Sequence, residues 1–129
     1  MRSFVPAGWS VVVVVLAWGC GGSDSSPTSP TTNSITVNIV GSSGNQAFSP
    51  NPAQAASGTQ VVWKNNTSDL HHLVMDNGSV IGNIASGASS APTQVGAGGN
   101  YHCTNHPSMV GSINGTTAPT PPPGSGDGY

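Results

Sequence analysis

The chain has very little charge. Of its 129 residues, two are Lys or Arg and four are Asp or Glu. Three of these six lie in the stretch that we expect to fold, and they are Lys64, Asp69 and Asp76. A nucleic-acid-binding domain needs a basic patch, which a single lysine does not provide. We therefore expect no nucleic-acid partner and only weak electrostatic steering toward protein partners.

Cysteines and aromatic residues are also scarce. The two cysteines, Cys20 and Cys103, are too few for a disulfide scaffold. Three aromatic residues, Phe48, Trp63 and Tyr101, lie in the stretch expected to fold, which predicts one small core. The chain is rich in glycine and proline, with 18 and 11 residues, and this composition favours turns and β-structure.

Long apolar runs are missing as well. The most apolar stretch, residues 11–17, is much shorter than the about 20 residues that a membrane-spanning helix needs. Because Arg2 precedes this stretch, the pattern is typical of an export signal. We therefore predict a signal peptide over residues 1–19 and an exported protein.

Residues 16–20, Leu-Ala-Trp-Gly-Cys, resemble a bacterial lipoprotein cleavage site. Gly19 and Cys20 fit that pattern, whereas Ala17 and Trp18 depart from it. The resemblance implies that Cys20 carries a lipid anchor, which would hold the protein at a membrane in the periplasm or on the outer cell surface. Two alternatives stay open. In the first, Cys20 remains a free thiol. In the second, Cys20 forms a disulfide with Cys103 that would abolish any metal site there.

Composition divides the rest of the chain into three parts. Residues 20–33 are rich in Gly, Ser, Thr and Pro, and they predict a flexible tether. Residues 34–116 contain the periodic apolar pattern and form the predicted domain. Residues 117–129 are rich in Pro and Gly, and we predict a disordered tail there.

Short runs with alternating apolar residues predict an all-β domain. Phe48 is followed by two prolines, which sheets tolerate only at edges and corners, so we place this segment at an edge with Phe48 packed inward. Several short strands separated by Gly- and Pro-rich turns favour a β-sandwich. The predicted strands are residues 34–40, 59–64, 70–75, 101–103 and 110–113, with one or two further short strands within residues 80–94.

The stretch 101–109, Tyr-His-Cys-Thr-Asn-His-Pro-Ser-Met, carries the strongest chemical signal. A thiol, an imidazole and a thioether follow one another at three-residue steps, at Cys103, His106 and Met109. Thiolate and imidazole suit copper or zinc, and a thioether suits copper. Two His, one Cys and a weak axial Met are the ligands of a blue-copper electron-transfer centre. Pro107 stiffens the loop between the last two of these ligands.

The second histidine of such a centre must come from elsewhere, and the chain offers His71 and His72. The two point to opposite faces of the predicted strand, so the strand register decides which one reaches the metal. The residues alone leave this choice open. His102 points away from Cys103 on the next predicted strand, and it offers a second route for electrons to the surface.

Cys-Thr-x-His-Pro-x-Met after a Tyr resembles the ligand loop of the plastocyanin/amicyanin group of cupredoxins. The short gaps on both sides of His106 are closest to amicyanin. Phe-Ser-Pro-Asn-Pro at 48–52 resembles an early segment of that family. Trp-Lys-Asn-Asn at 63–66, with His71 eight residues after the Trp, resembles the segment that carries the first His ligand. The resemblance covers residues 34–116.

The resemblance implies a Greek-key β-sandwich that binds one type 1 copper. It also implies a protein that carries single electrons between transient protein partners. We expect this protein to be a monomer. His106 would reach the surface where electrons pass. The implied ligands are His71, Cys103, His106 and Met109.

The resemblance also implies neighbours that support these ligands. Asn65 or Asn66 would brace the ligand loop. His72 stands where the family often has an Asn, so its hydrogen bonding near the site is expected to differ.

Two other functions compete with electron transfer. The protein could scavenge or deliver copper without a redox partner, but a closed Cys-His-Met loop favours electron transfer over the open sites of copper carriers. Some copper enzymes also place a His beside the blue-copper Cys, as His102 is placed here. With His71 and His106 used, only His72 and His102 remain, which is too few for a catalytic cluster. We therefore expect an electron carrier and not an enzyme.

Overall fold

The computed structural model describes residues 33–125, in which eight β-strands and no helix occur. Within these residues there is accordingly no helix that could cross a membrane. The predicted signal peptide, Cys20 and nearly all of the predicted tether lie outside the described residues. The strands are β1 (Ser34–Ile39), β2 (Phe48–Ser49), β3 (Gln60–Asn65), β4 (His71–Met75), β5 (Val80–Ile84), β6 (Thr93–Gln94), β7 (Gly99–Cys103) and β8 (Val110–Ile113).

The strands form two four-stranded sheets that share one hydrophobic core. The first sheet has the order β2-β1-β3-β6, and the second has the order β5-β4-β7-β8. β1 and β3 are parallel, whereas the other paired strands of the described region are antiparallel. The predicted all-β sandwich is confirmed.

Side chains alternate between core and surface along most strands, because each sheet covers the core with one face. Val37 and Ile39 of β1 are buried, and so are Val61 and Trp63 of β3. β2 lies at the edge of the first sheet, as the two prolines after Phe48 predicted. The side chain of Phe48 is buried, as expected. The predicted faces are therefore correct for the segments that build the core.

The pairing of β4 with β7 places the histidines and the cysteine of interest. The two strands are antiparallel, and Leu73 lies opposite Cys103. His71, Leu73 and Met75 are buried on the inner face of β4, while His72 and Val74 lie on the outer face. Because the start of β4 lies beside the end of β7, His71 and Cys103 meet at the same end of the sandwich.

An aromatic cluster lies on the buried face of β7, to which Tyr101 belongs. The ring of Tyr101 contacts Phe48 and Trp63 edge to face, with centroid distances of 4.8 and 5.4 Å. The ring also lies against Gly111 of β8, where there is no room for a side chain. The glycine therefore makes room for the tyrosine in the strand next to it.

Gly111→Ala is expected to destabilise the protein by about 1–3 kcal/mol, the usual cost of overpacking a core. A Cβ at this position would overlap the ring of Tyr101, which Phe48 and Trp63 hold in place. Gly41→Ala is the matched control, because its Cβ would meet Ala47 at an ordinary 3.6 Å. Denaturant unfolding measures both variants. If Gly111→Ala unfolds at the same midpoint as Gly41→Ala, the packing described here is wrong.

Candidate metal centre

Three donor side chains meet at one end of the sandwich. His71 begins β4, Cys103 ends β7, and His106 lies in the ligand loop, residues 104–109, which joins β7 to β8. Within residues 33–125, these three form the one group of His, Cys, Asp and Glu side chains that is close enough to hold a metal ion. The structure thus brings together three of the four ligands that the sequence predicted.

The distances among the donor atoms fit a single metal ion. Sγ of Cys103 lies 3.7 Å from Nδ1 of His71 and 3.7 Å from Nδ1 of His106. Metal bonds of about 2.0–2.1 Å to nitrogen and about 2.3 Å to sulfur, at trigonal or tetrahedral angles, place such atoms roughly 3.6–3.8 Å apart. The donor set of two imidazoles and a thiol is also the one that copper binds in trigonal sites. The residues therefore fit copper in both chemistry and spacing.

The two imidazoles differ in their surroundings. His71 and Cys103 are fully buried, whereas His106 is partly exposed. Burial lowers the pKa of His71 below its ordinary value of 6.5, and the neighbouring His106 lowers it further, while Asp69 opposes both effects. Neutral imidazole is the form that binds metals. The protein thus favours the binding form of His71 before any metal arrives.

The far side of the His71 ring is held by a chain of hydrogen bonds. Nε2 of His71 lies 2.8 Å from Oγ1 of Thr67. That hydroxyl lies 2.8 Å from Oδ1 of Asn65, whose side chain is fully buried at the end of β3. These hydrogen bonds tie the imidazole of His71 to the opposite sheet and leave its Nδ1 facing Cys103.

The ligand loop is fastened to β4 by its own polar residues. The backbone N–H of Thr104 donates to the carbonyl of His72 at 2.9 Å, and Oγ1 of Thr104 lies 2.9 Å from Nδ1 of His72. The side-chain amide of Asn105 donates to the carbonyl of Leu70 at 3.0 Å. These contacts fix the loop against the strand that carries His71.

Met109, the predicted axial ligand, closes the loop. Its backbone N–H donates to the carbonyl of His106 at 2.9 Å, and its carbonyl accepts from the N–H of Cys103 at 3.1 Å. The side chain is fully buried within the core cluster that also contains Cys103. Met109 thus ends the ligand loop with its side chain in the same core cluster as Cys103, and its role as the fourth ligand stays a prediction.

The two asparagines that the resemblance implied have different positions. Asn65 reaches His71 through Thr67, so it supports a histidine of the site, whereas the resemblance implied that Asn65 or Asn66 braces the ligand loop. The side chain of Asn66 donates to Oδ1 of Asn38 at 3.0 Å, outside this network. Asn65 is therefore the supporting asparagine.

His72 and His102 lie on the outer face of the second sheet, as their strand positions predicted. Nδ1 of His102 lies 2.8 Å from Oδ1 of Asp76, and the two side chains are 38% and 54% exposed. Beside this pair is a cavity of about 400 Å³, which Pro107 and Pro119 help to line.

Residues 117–125, part of the predicted tail, form no strand or helix. The disorder of the tail stays a prediction.

Three polar residues of the site were not predicted from the sequence. The side chain of Thr67 holds the ring of His71, and the side chains of Thr104 and Asn105 hold the ligand loop. Thr104 and Asn105 stand between two predicted ligands, which is a signal that could have been used. Thr67 lies four residues before His71 in a polar turn, and nothing in the sequence marks it.

The fold has counterparts among solved protein structures. No protein-family model and no curated protein matches the chain. Two solved structures of amicyanin variants do match, one in the reduced Cu(I) form at pH 4 and one in the oxidised state. Their TM-scores are 0.51 and 0.52, at 18% and 19% sequence identity. The alignments cover 62% and 63% of this chain and 79% and 80% of those chains. The chain therefore has the fold of amicyanin, a cupredoxin-like β-sandwich, as predicted.

The metal-free protein is expected to lose stability as the pH falls below about 6.5. Because folding lowers the pKa of His71, the unfolded chain takes up a proton first, which favours unfolding from 6.5 down through the folded-state pKa. Denaturant unfolding of the metal-free protein across this range measures the effect. His71→Gln should flatten this part of the profile, whereas His72→Gln should retain it. Parallel profiles for the wild type and His71→Gln would contradict the assignment of this pH dependence to His71.

Proposed function

We propose that this protein is a blue-copper electron carrier, with His71, Cys103 and His106 as equatorial ligands and Met109 as a weak axial ligand. When bound, copper supplies a one-electron couple between Cu(II) and Cu(I). The observation that carries the proposal is the spacing of the donors, with both imidazole Nδ1 atoms 3.7 Å from the sulfur of Cys103. The amicyanin-like fold supports it.

The surroundings of the donors support an electron carrier because they hold the same side chains in place for both oxidation states. Thr67 holds the ring of His71, and Asn105 fastens the ligand loop to Leu70, the residue before β4. Cys103 and Met109 are linked by a backbone hydrogen bond across the loop. A site with ligands fixed in this way changes little in geometry when an electron arrives or leaves, so that the transfer needs little rearrangement.

We propose that electrons enter and leave at His106. It is the one donor of the cluster that is partly exposed. Leu70, which is 51% exposed, bonds through its carbonyl to the same loop and adds apolar surface for a transient protein partner. His102 is a second candidate route, because it is the chain neighbour of Cys103 and is partly exposed on another face.

Copper storage or delivery without a redox partner is the alternative. Such a protein must release its metal readily, and an open site serves that purpose. Two of the three donors here, His71 and Cys103, are fully buried. This burial favours a permanently held copper, and electron transfer is the better proposal.

Adding Cu(II) to the metal-free protein is expected to produce an intense thiolate-to-copper absorption band in the visible range. The copper hyperfine splitting in EPR should be narrow, because the trigonal thiolate site shares the unpaired electron with sulfur. Cys103→Ser should lose the band. A pale Cu(II) complex that does not depend on Cys103 would contradict the proposal.

The two adjacent histidines give a matched control for this experiment. His71→Ala should lose the band, whereas His72→Ala should keep it, since His72 lies on the outer face of β4. Transfer of copper to a chelator then separates the two functions. Slow release agrees with an electron carrier, and rapid release from an intact blue site would favour copper delivery.

We also propose that the protein is exported and anchored through a lipid on Cys20. The support comes from the sequence, in which Arg2 and the apolar residues 11–17 precede Gly19 and Cys20. Full-length protein expressed in bacteria with labelled palmitate should incorporate the label, and Cys20→Ser should not. Unlabelled wild-type protein would contradict the anchor.

A further inference from the structure

We propose that Thr67 is a positioning residue that fixes His71 in one tautomer, with the proton on Nε2 and Nδ1 free to bind the metal. The inference deepens the proposed function, because it explains how one donor of the site is prepared. It follows from the direction of each hydrogen bond in the chain from Asn65 to Cys103.

The chain starts at the buried side chain of Asn65. Its Nδ2 donates to the carbonyls of Asp69 and Ile84, at 2.7 and 2.9 Å. Both partners are carbonyl oxygens, so the atom facing them must be the amide nitrogen. The other end of the side chain is therefore the oxygen Oδ1, which can only accept. It accepts the backbone N–H of Thr67 at 2.9 Å.

The hydroxyl of Thr67 then has only one possible direction. It lies 2.8 Å from Oδ1 of Asn65, which is an acceptor, so the single hydroxyl proton is donated there. Toward Nε2 of His71, also at 2.8 Å, the hydroxyl oxygen can only accept. It follows that Nε2 of His71 carries a proton.

A neutral imidazole has one proton on its two nitrogens. With that proton on Nε2, Nδ1 of His71 has a free lone pair, and this atom faces the sulfur of Cys103 at 3.7 Å. Thr67 thus prepares the nitrogen that the metal needs without touching the metal. A hydroxyl turned the other way would favour a proton on Nδ1, which would have to leave before a metal could bind.

Thr67 is itself well held. The hydroxyl of Ser86 donates to the carbonyl of Thr67 at 2.7 Å, and the N–H of Asp69 lies 3.3 Å from Oγ1 of Thr67. The turn of residues 66–69 is therefore bound to β3, to β5 through Asn65, and to the segment after β5.

The neighbouring histidine provides a comparison. His72 also contacts a threonine hydroxyl, but through Nδ1, which lies 2.9 Å from Oγ1 of Thr104. The two adjacent histidines thus use opposite nitrogens for their threonine contacts. Of the two, His71 is the one whose Nδ1 remains free for a metal.

Long-range proton–nitrogen NMR of the metal-free, full-length protein above pH 6.5 tests the proposal directly. The wild type should show His71 with its proton on Nε2. Thr67→Val, which keeps the shape but loses the hydroxyl, should lose this preference, and Thr67→Ser should retain it. Thr93→Val on β6, away from the site, is the matched control and should leave His71 unchanged. A proton on Nδ1 of His71 in the wild type, or an unchanged tautomer in Thr67→Val, would overturn the proposal.

Titration with Cu(II) tests the consequence for binding. Loss of a partner that orients a metal-binding histidine costs about 10–100-fold in affinity, so Thr67→Val should bind Cu(II) that much more weakly, with Thr67→Ser close to the wild type. Equal affinity of Thr67→Val and the wild type would overturn the positioning role. Failure of the blue-copper proposal would be a separate result. That proposal is tested by the absorption band of the copper-loaded protein, whereas the NMR experiment needs no metal.

Discussion

The register between β4 and β7 is the constraint on which the site depends. Because Leu73 lies opposite Cys103, the inner face of β4 presents His71 to the sulfur and turns His72 outward. A slip of one residue would exchange the two histidines and expose Leu73. In the neighbouring pair, the β7–β8 register places Tyr101 opposite Gly111, and the ring of Tyr101 lies inside the aromatic cluster. Core packing thus selects the ligand, because the pairing that buries Leu73 and Tyr101 also buries His71.

The site is largely assembled by protein contacts alone. Hydrogen bonds from Asn65 through Thr67 hold His71, and contacts from Thr104 and Asn105 hold the ligand loop. Fixing the donors in advance reduces the conformational entropy that metal binding must offset. A bound metal would in turn join β4 to the ligand loop and stabilise the folded state, because it binds that state preferentially.

Much of this arrangement could be predicted from the sequence because it depends on period-two burial and on short spacings. Strict alternation gave the correct inner faces of β1, β3 and β4, and the three-residue steps located Cys103, His106 and Met109. The residues alone left His71 and His72 open, and the resemblance to amicyanin favoured the one that is now seen to be buried.

The supporting contacts were less accessible, because they depend on the conformation of turns. Thr67 reaches His71 only because the turn of residues 66–69 folds back toward β4, and sequence spacing does not show this. Asn65 or Asn66 was predicted to support the ligand loop, yet the position of Asn65 at the buried end of β3 directs it to Thr67. The short strands β5 and β6 lie in a Ser-, Ala- and Gly-rich segment, where the apolar pattern is too weak to define their bounds.

The central claim is that one copper ion is held by the same two imidazoles and one thiolate in both oxidation states. X-ray absorption spectroscopy at the copper edge, on the oxidised and then the reduced protein, tests it most directly. The account predicts two nitrogen ligands and one sulfur ligand at short distance in both states, with little change between them. A copper shell without short sulfur in the oxidised state, or with a nitrogen lost on reduction, would contradict it.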